Sequence, residues 1–351
     1  MRPDAAQLRH ILASGILAPS AENKHYLRFK ILDDSVQLCS TDQSTWVGRR
    51  HRHMLAFMSY GAVVENIALC SAELGFTMVV RWLPDGLAGL PIADLRWTEA
   101  AAAHDPLKAA IESRHTNRRF YRRAMVHPQT LARVSDAASV VPGAALIWLD
   151  DPTSRALALK AIRIAETERF RRQALHAELF DSIRFEIGWT KTCDEWLPPA
   201  ALQVEPPMRK LFALMRHWGV MQAGNRIGAH IALGLRAGYL PCKMAPHLGL
   251  IAVKGHGEEL GSLQAGRAFE RVWLAAENEN LALQPMAAAT ALVRQTPGNG
   301  WVSVEVKNEL QRLLDSLCGA GGGRPYMLFR LGQAQRPDAV TGRMPLDRYL
   351  D

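Results

Sequence analysis

"LRHILASGILAPSAENKHYLRFKILDD", residues 8–34, runs an amphipathic helix into a proline break and then into a strand. Leu8, Ile11, Leu12 and Ile16 recur at helical spacing, Pro19 ends that period, and the following stretch alternates before Asp33 and Asp34. "LARVSDAASVVPGAALIWLDD", residues 131–151, repeats the plan with a helix, Pro142, a strand, Asp150 and Asp151. A second pair follows in the same order. "ENIALCSAELGFTMVV" (65–80) aligns with "ERVWLAAENENLALQP" (270–285), and Gly75 falls opposite Asn280. Both residue types tolerate the left-handed conformation that closes a helix, so the exchange preserves a C-cap. Two matches in one order predict an internal repeat.

The copies differ in spacing. Asp34 to Glu65 is 31 positions and Asp151 to Glu270 is 119, so the second copy carries 88 extra residues. The extra stretch holds a charged helix ("LALKAIRIAETERFRRQALHAELFDSIRF"), a crossing with Pro198, Pro199, Pro206 and Pro207, and a small-residue helix ("AGNRIGAHIALGLRAGYL"). An insertion of this length with helical patterns reads as a cap, over about 152–258. The expected domains are a first half, 1–104, and a second half, 105–351, that contains the cap.

The chain has 351 residues, of which 48% are hydrophobic and 22% charged, enough to bury a sizeable core. Lys and Arg exceed Asp and Glu by 42 to 34, a net charge of +8, in short clusters at 49–53, 114–123, 168–172 and 324–336. Those clusters have few neighbouring aromatics and no zinc-finger or RNA-motif spacing, which makes a nucleic-acid partner a minor reading. Five cysteines form no CxxC, so neither a disulfide framework nor a thiolate zinc site is expected, and a cytoplasmic location fits. The N-terminal stretch carries Asp4 and Arg9 where a signal peptide needs an apolar core, and no run of about eighteen apolar residues occurs, so no membrane partner is expected.

"IESRHTNRRF", residues 111–120, sets Arg114, Arg118 and Arg119 around Thr116 and Asn117. Guanidinium forks with small hydrogen-bonding neighbours suit a phosphate, and Arg114 and Arg118, four apart, can face one ligand while Arg119 points elsewhere. A solvated basic helix start is equally compatible with this stretch. "APSAEN" (18–23), taken alone, is better explained by an ordinary turn than by a ligand contact, since Pro, Ser and Asn are the usual turn formers. His51 and His53 in "RRHRHM" read as a solvated basic turn rather than a metal site, and "GAGGGRP" (319–325) as a connection. Gly61, Gly75 and Gly266 read as packing glycines. No Ser-His-Asp set, HExxH or close carboxylate pair stands out.

With these motifs in this order, the chain resembles the flavin-dependent nitroreductase family, and in particular single-chain members that fuse two nitroreductase-like halves. The carriers are "RHTNRRF", "APSAENKHYLRF", "AGRAFERVWLAAENENLALQPM", "RPYMLFRLG" and "TGRMPLDRYL", which together span most of the chain outside 152–258. The resemblance implies an α+β fold in which two antiparallel-type sheets flanked by helices form a pseudo-dimer around long helices near 54–74 and 262–279. It implies FMN as cofactor, with Arg114, Thr116, Arg118 and Arg343 toward the phosphate, Pro19, Ser20 and Asn23 against the ring, and Gln284, Pro285 and Met286 beside its reacting edge. Met286 fits a core position equally well.

This sequence departs from the family plan in its two halves. An opening matching Arg114 would fall before residue 1 in the first copy, and the second copy has "VVPGAALIW" in place of the polar flavin loop. Each half lacks what the other keeps, which implies one composite FMN site per chain and a pseudo-dimeric monomer or weak homodimer. The implied activity is hydride transfer from NAD(P)H through FMN to a small electron-poor or biosynthetic substrate. The alternatives are an FMN storage protein whose closed lid prevents NAD(P)H turnover, and a module of a larger assembly. Catalytic residues are not assigned; Trp189, Asp194 and His217 in the cap could face substrate, but core packing for Trp189 and a solvated position for Asp194 are the better readings.

Overall fold

Helix α1 (Ala5–Ile16) begins at Asp4, whose carboxylate accepts from Gln7 N at 2.9 Å while Asp4 N donates to Gln7 Oε1 at 3.0 Å. This reciprocal cap satisfies two donors that a helix start leaves open. The computed structural model describes residues 2–42, 50–86, 91–295 and 301–351. The buried face of α1 packs on α2 (Arg50–Glu73), and β1 (Leu27–Ile31), β2 (Val36–Ser40), β3 (Phe76–Trp82) and β4 (Pro91–Glu99) form an antiparallel sheet in the order β1-β2-β4-β3.

The chain then runs through α3 (Pro128–Ser139) and β5 (Ala144–Trp148) into six helices: α4 (Pro152–Arg171), α5 (Gln173–Asp181), α6 (Arg209–Leu214), α7 (Trp218–Asn225), α8 (Ala229–Gly234) and α9 (Leu240–Met244). Next come β6 (His247–Val253), α10 (Glu258–Asn278), β7 (Ala282–Met286), α11 (Ala288–Leu292), α12 (Val304–Cys318) and β8 (Arg324–Gly332). The second sheet is antiparallel throughout, in the order β5-β6-β8-β7, which is the order of the first sheet in its own numbering. In each, a helix precedes the first strand and a long helix links the second strand to the third. Gly75 (φ 82°) and Asn280 (φ 54°) both take the left-handed conformation after the long helix, as their alignment predicts.

The long helices α2 and α10 pack against each other at the centre. They approach so closely that a Cβ on Gly61 would lie 2.0 Å from Leu263 O, and one on Gly266 would lie 1.9 Å from Met58 O. Each glycine meets the other helix's backbone, so the contact is reciprocal. Among the described residues α2 is the one helix long and apolar enough to cross a membrane, but most of it is buried in this core.

The two sheets differ in cover. The first packs one face on α1 and α2, and its strand β3 alternates buried and open positions. The second has α3 and α10 on one face and α4, α11 and α12 on the other, so every residue of β6 is buried. The 152–258 stretch expected to be a cap therefore divides: α4 to α9 and their connections are helical additions, whereas 247–253 is a strand inside the sheet. Strand β6, "HLGLIAV", shows no alternation because both its faces are covered, and a short apolar run of that kind does not identify itself. After β8 the tail returns to the first half, where Leu350 bridges Phe29 and Asp351 N donates to Phe29 O at 3.1 Å.

Candidate functional site

One cavity of about 740 Å³ lies between the two halves and beneath the cap. Pro19, Ser20 and Asn23 of the first half line it, as do Arg114, Thr116 and Arg118 of the segment before α3, Gln284, Pro285 and Met286 of β7, and Arg343 of the tail. All ten sequence-predicted residues meet around one space, although they come from four separate stretches of chain. Met286 is also buried in the core under α4, so it serves both readings. Gly266 lines the same wall, beside the helix crossing.

The arginines separate into two groups. The guanidinium of Arg114 lies 4.6 Å over the Trp273 ring, donates from Nη2 to Leu17 O at 2.8 Å and places Nε 3.4 Å from Glu270 Oε1 without a hydrogen bond. Arg343 donates to Ala18 O at 3.1 Å and also to Asn23 Oδ1. Desolvation, with the nearby Arg114 charge, pulls Arg343 down to about 9. Arg118 instead donates to Ala201 O at 3.1 Å, and desolvation pulls it down to about 10 with Arg169 and Arg330 as its cationic neighbours. No carboxylate pairs with Arg118 among the described residues. Arg114 and Arg343 thus lie near each other, while Arg118, which lines the same cavity, has a different set of neighbours. Arg119 points away, toward Asp338 at 2.6 Å, as expected.

Asn23 also differs from its expected role. Its amide nitrogen donates to Asp194 O and Gly342 O, each at 3.3 Å, and its oxygen accepts from Arg343. The side chain is engaged by cap and tail, so it fixes Arg343 rather than offering free groups to the cavity. Its φ of 59° belongs to the left-handed region that asparagine tolerates better than most residues.

Gln284 is oriented from behind. Arg330, fully buried on β8, stacks 3.9 Å over the Tyr121 ring and donates from Nε to Gln284 Oε1 at 2.8 Å. A guanidinium only donates, so the atom facing it is the amide oxygen, and the Gln284 amide nitrogen is left as a donor on the cavity side.

Several cavity residues lie outside the family motifs. Ser20 Oγ, His51 Nδ1, Arg114 Nε and both polar atoms of the Gln295 side chain belong to cavity-lining residues and are buried with no hydrogen-bond partner among the described residues. Buried polar atoms without partners are uncommon, and their convergence on one space is what a polar ligand would satisfy. His51 does not belong to a solvated turn; it opens α2, is buried, and meets Glu178 of the cap at 3.1 Å. Arg52 donates to the same carboxylate at 2.8 Å and lies 3.9 Å from Glu22. Burial pushes the Glu22 carboxyl up from its ordinary value, with Arg52 opposing. For Glu178 burial acts in the same direction, but the hydrogen bonds and charges of His51 and Arg52 outweigh it and hold the group below its ordinary value. Spacing in the sequence gave no sign of this carboxylate pair, because Glu22 and Glu178 are 156 positions apart.

Trp189, Asp194 and His217 do not line the cavity. Trp189 packs against Phe185 and Phe212 with Arg209 over its ring, and the other two are exposed. The cap instead presents an apolar wall that includes Phe170, Leu179, Leu202 and Phe212.

The chain is similar to a nitroreductase with bound FMN from Bacteroides fragilis, at 11% identity over 68% of this chain and 94% of that one, with a TM-score of 0.38. It is also similar to the FMN-dependent nitroreductase NfnB from Mycobacterium smegmatis in complex with NADPH (14% identity, 66% of this chain, 88% of that one, TM-score 0.36). A third is NfrA2 from B. megaterium (13%, 69%, 72% and 0.37). No protein-family model and no curated protein matches the chain.

Proposed function

We propose that this protein is an FMN-dependent oxidoreductase that carries hydride from NAD(P)H to a small electron-poor or biosynthetic acceptor, at one site per chain built across two fused halves. The observation that supports this reading is the convergence on one cavity of the 19–23 turn, the 114–118 segment, the 284–286 strand and Arg343, with unpartnered polar atoms on the wall between them.

The residues fit the group. Arg114 and Arg343 bring two guanidinium groups to one end, where Glu270 lies 3.4 Å from Arg114 and a phosphate monoester would supply further counter-charge. Pro19 and Ser20 offer a flat, small surface for a ring. At the other end Arg118, poor in solvent and without a carboxylate, suits negative charge that develops on a ligand during reaction, and the fixed Gln284 amide adds a donor. Bound FMN supplies the hydride acceptor and donor, so the protein's part is to hold, orient and desolvate.

Access favours turnover over storage. Glu205, Met208, Leu211 and Ala232 line the cavity and are also exposed, so the cap leaves a mouth rather than a closed lid. In an anaerobic stopped-flow measurement on FMN-loaded protein, NADH or NADPH should bleach the flavin within seconds. Bleaching by dithionite alone, with both nicotinamides inert over minutes, would favour storage and reject the enzyme reading.

A further inference from the structure

The cap carries a long stretch that is basic and free of acidic residues. From residue 206 to residue 246 there is no Asp or Glu, against six Lys and Arg: Arg209, Lys210, Arg216, Arg226, Arg236 and Lys243. The same stretch carries a run of exposed apolar side chains. Ile227 is 90% exposed, Leu214 51% and Ile231 50%, with Met208, Leu211 and Val220 also open. The inward faces of these helices are already used, since Phe212, Met215, Trp218, Met221 and Leu233 pack with Phe170 and Phe180. The exposed set is therefore a second apolar face. Lys210, Arg216, Arg226 and Lys243 are exposed in this stretch and none forms an ion pair among the described residues, although Arg216 lies over the Phe185 ring and near Glu186, and the rim carboxylate Glu205 is held by Arg236.

Met208 and Leu211 on one side and Ala232 on the other line the cavity as well as the surface. The mouth thus opens between α6 and α8, amid the exposed Leu214, Ile227 and Ile231.

We propose that this face docks on an anionic lipid bilayer, with α6 to α8 in the headgroup region and the cavity mouth toward the membrane. Apolar side chains interspersed with cations that outnumber the carboxylates, of which Glu205 is tied to Arg236 and Glu186 to Arg184, are what insertion at a negatively charged interface requires. A second copy is the poorer occupant, because a self-complementary contact would set Lys210, Arg216, Arg226 and Lys243 against their own equivalents. Docking of this kind needs no spanning segment, and α2, the one helix among the described residues long and apolar enough to span, lies mostly in the core. On the flavin reading of the cavity, this orientation gives a lipophilic acceptor direct entry from the bilayer; that consequence rests on that reading, and the docking does not.

The test is co-sedimentation of the full-length protein with vesicles of phosphatidylcholine alone and of phosphatidylcholine and phosphatidylglycerol in equal parts. Binding should favour the anionic vesicles by at least about tenfold at about 0.1 M NaCl and weaken strongly at about 1 M, where screening acts over a few ångströms. Arg226→Glu should weaken it by more than about fivefold, the contribution of one cation near such a surface. Ile227→Glu should weaken it too. Neither residue lines the cavity, so circular dichroism and flavin content should be unchanged. Equal or absent binding to both vesicles, or anionic binding that survives Ile227→Glu, overturns the proposal. So does a dimer in sedimentation velocity that Ile227→Glu dissolves, which would assign the face to a second copy.

Discussion

Glu270 has no exposed surface, and its two carboxyl oxygens have no hydrogen-bond partner of good geometry among the described residues. The neighbouring Asn66 amide is turned to Ser14 O at 3.3 Å. Burial pushes the Glu270 carboxyl up to about 7, against the opposing charge of Arg114. The folded state therefore holds this proton more tightly than the unfolded chain does. The resulting stabilisation is full below about 4.5, declines as pH rises, and is gone above about 7. Urea unfolding of the wild type and Glu270→Gln should show the wild type losing on the order of 3 kcal/mol relative to the variant across that window. A difference that stays flat with pH would contradict the assignment. Glu270 was visible in the sequence only as a helical position in the repeat; its isolation depends on Arg114, which arrives from 156 residues earlier. The cavity arginines were legible as phosphate-binding types, whereas their division between Arg343 and Arg118 settings was not, because four-residue spacing fixes direction only inside a regular helix, and this stretch is irregular.

At the scale of elements, the α2 and α10 crossing positions both sheets and one wall of the cavity. Gly61→Ala would press a methyl group into the Leu263 carbonyl, and backbone cannot rotate away as a side chain can. Such overpacking should cost about 3 kcal/mol in urea unfolding, with flavin loss at the same denaturant concentration. A variant as stable as the wild type would show that the helices stand further apart. The matching stretches around the two sheets were readable because each keeps its own local signals: amphipathic helix, proline break and left-handed C-cap. The strand at 247–253 was not, since covering both faces removes the alternation that marks a strand. The helices α11 and α12 that supply part of this cover follow the second copy's β7, in a stretch the first copy lacks.

For the whole molecule, an α+β pair of antiparallel sheets flanked by helices was the fold expected from the sequence, and the two sheets share one strand order. The halves are interlocked by the tail, which leaves β8 to pair with β1, and by the cap, whose Glu178 meets His51 and Arg52. That interlocking places the 19–23 turn opposite Arg114 in a single chain, as a composite site requires. The account stands on one flavin held at the seam of the two halves. Its most direct test is the visible absorbance spectrum of the purified protein after incubation with excess FMN and gel filtration, read together with protein concentration. The account predicts a yellow protein with one FMN per chain; a colourless protein, or one with two FMN per chain, would contradict it.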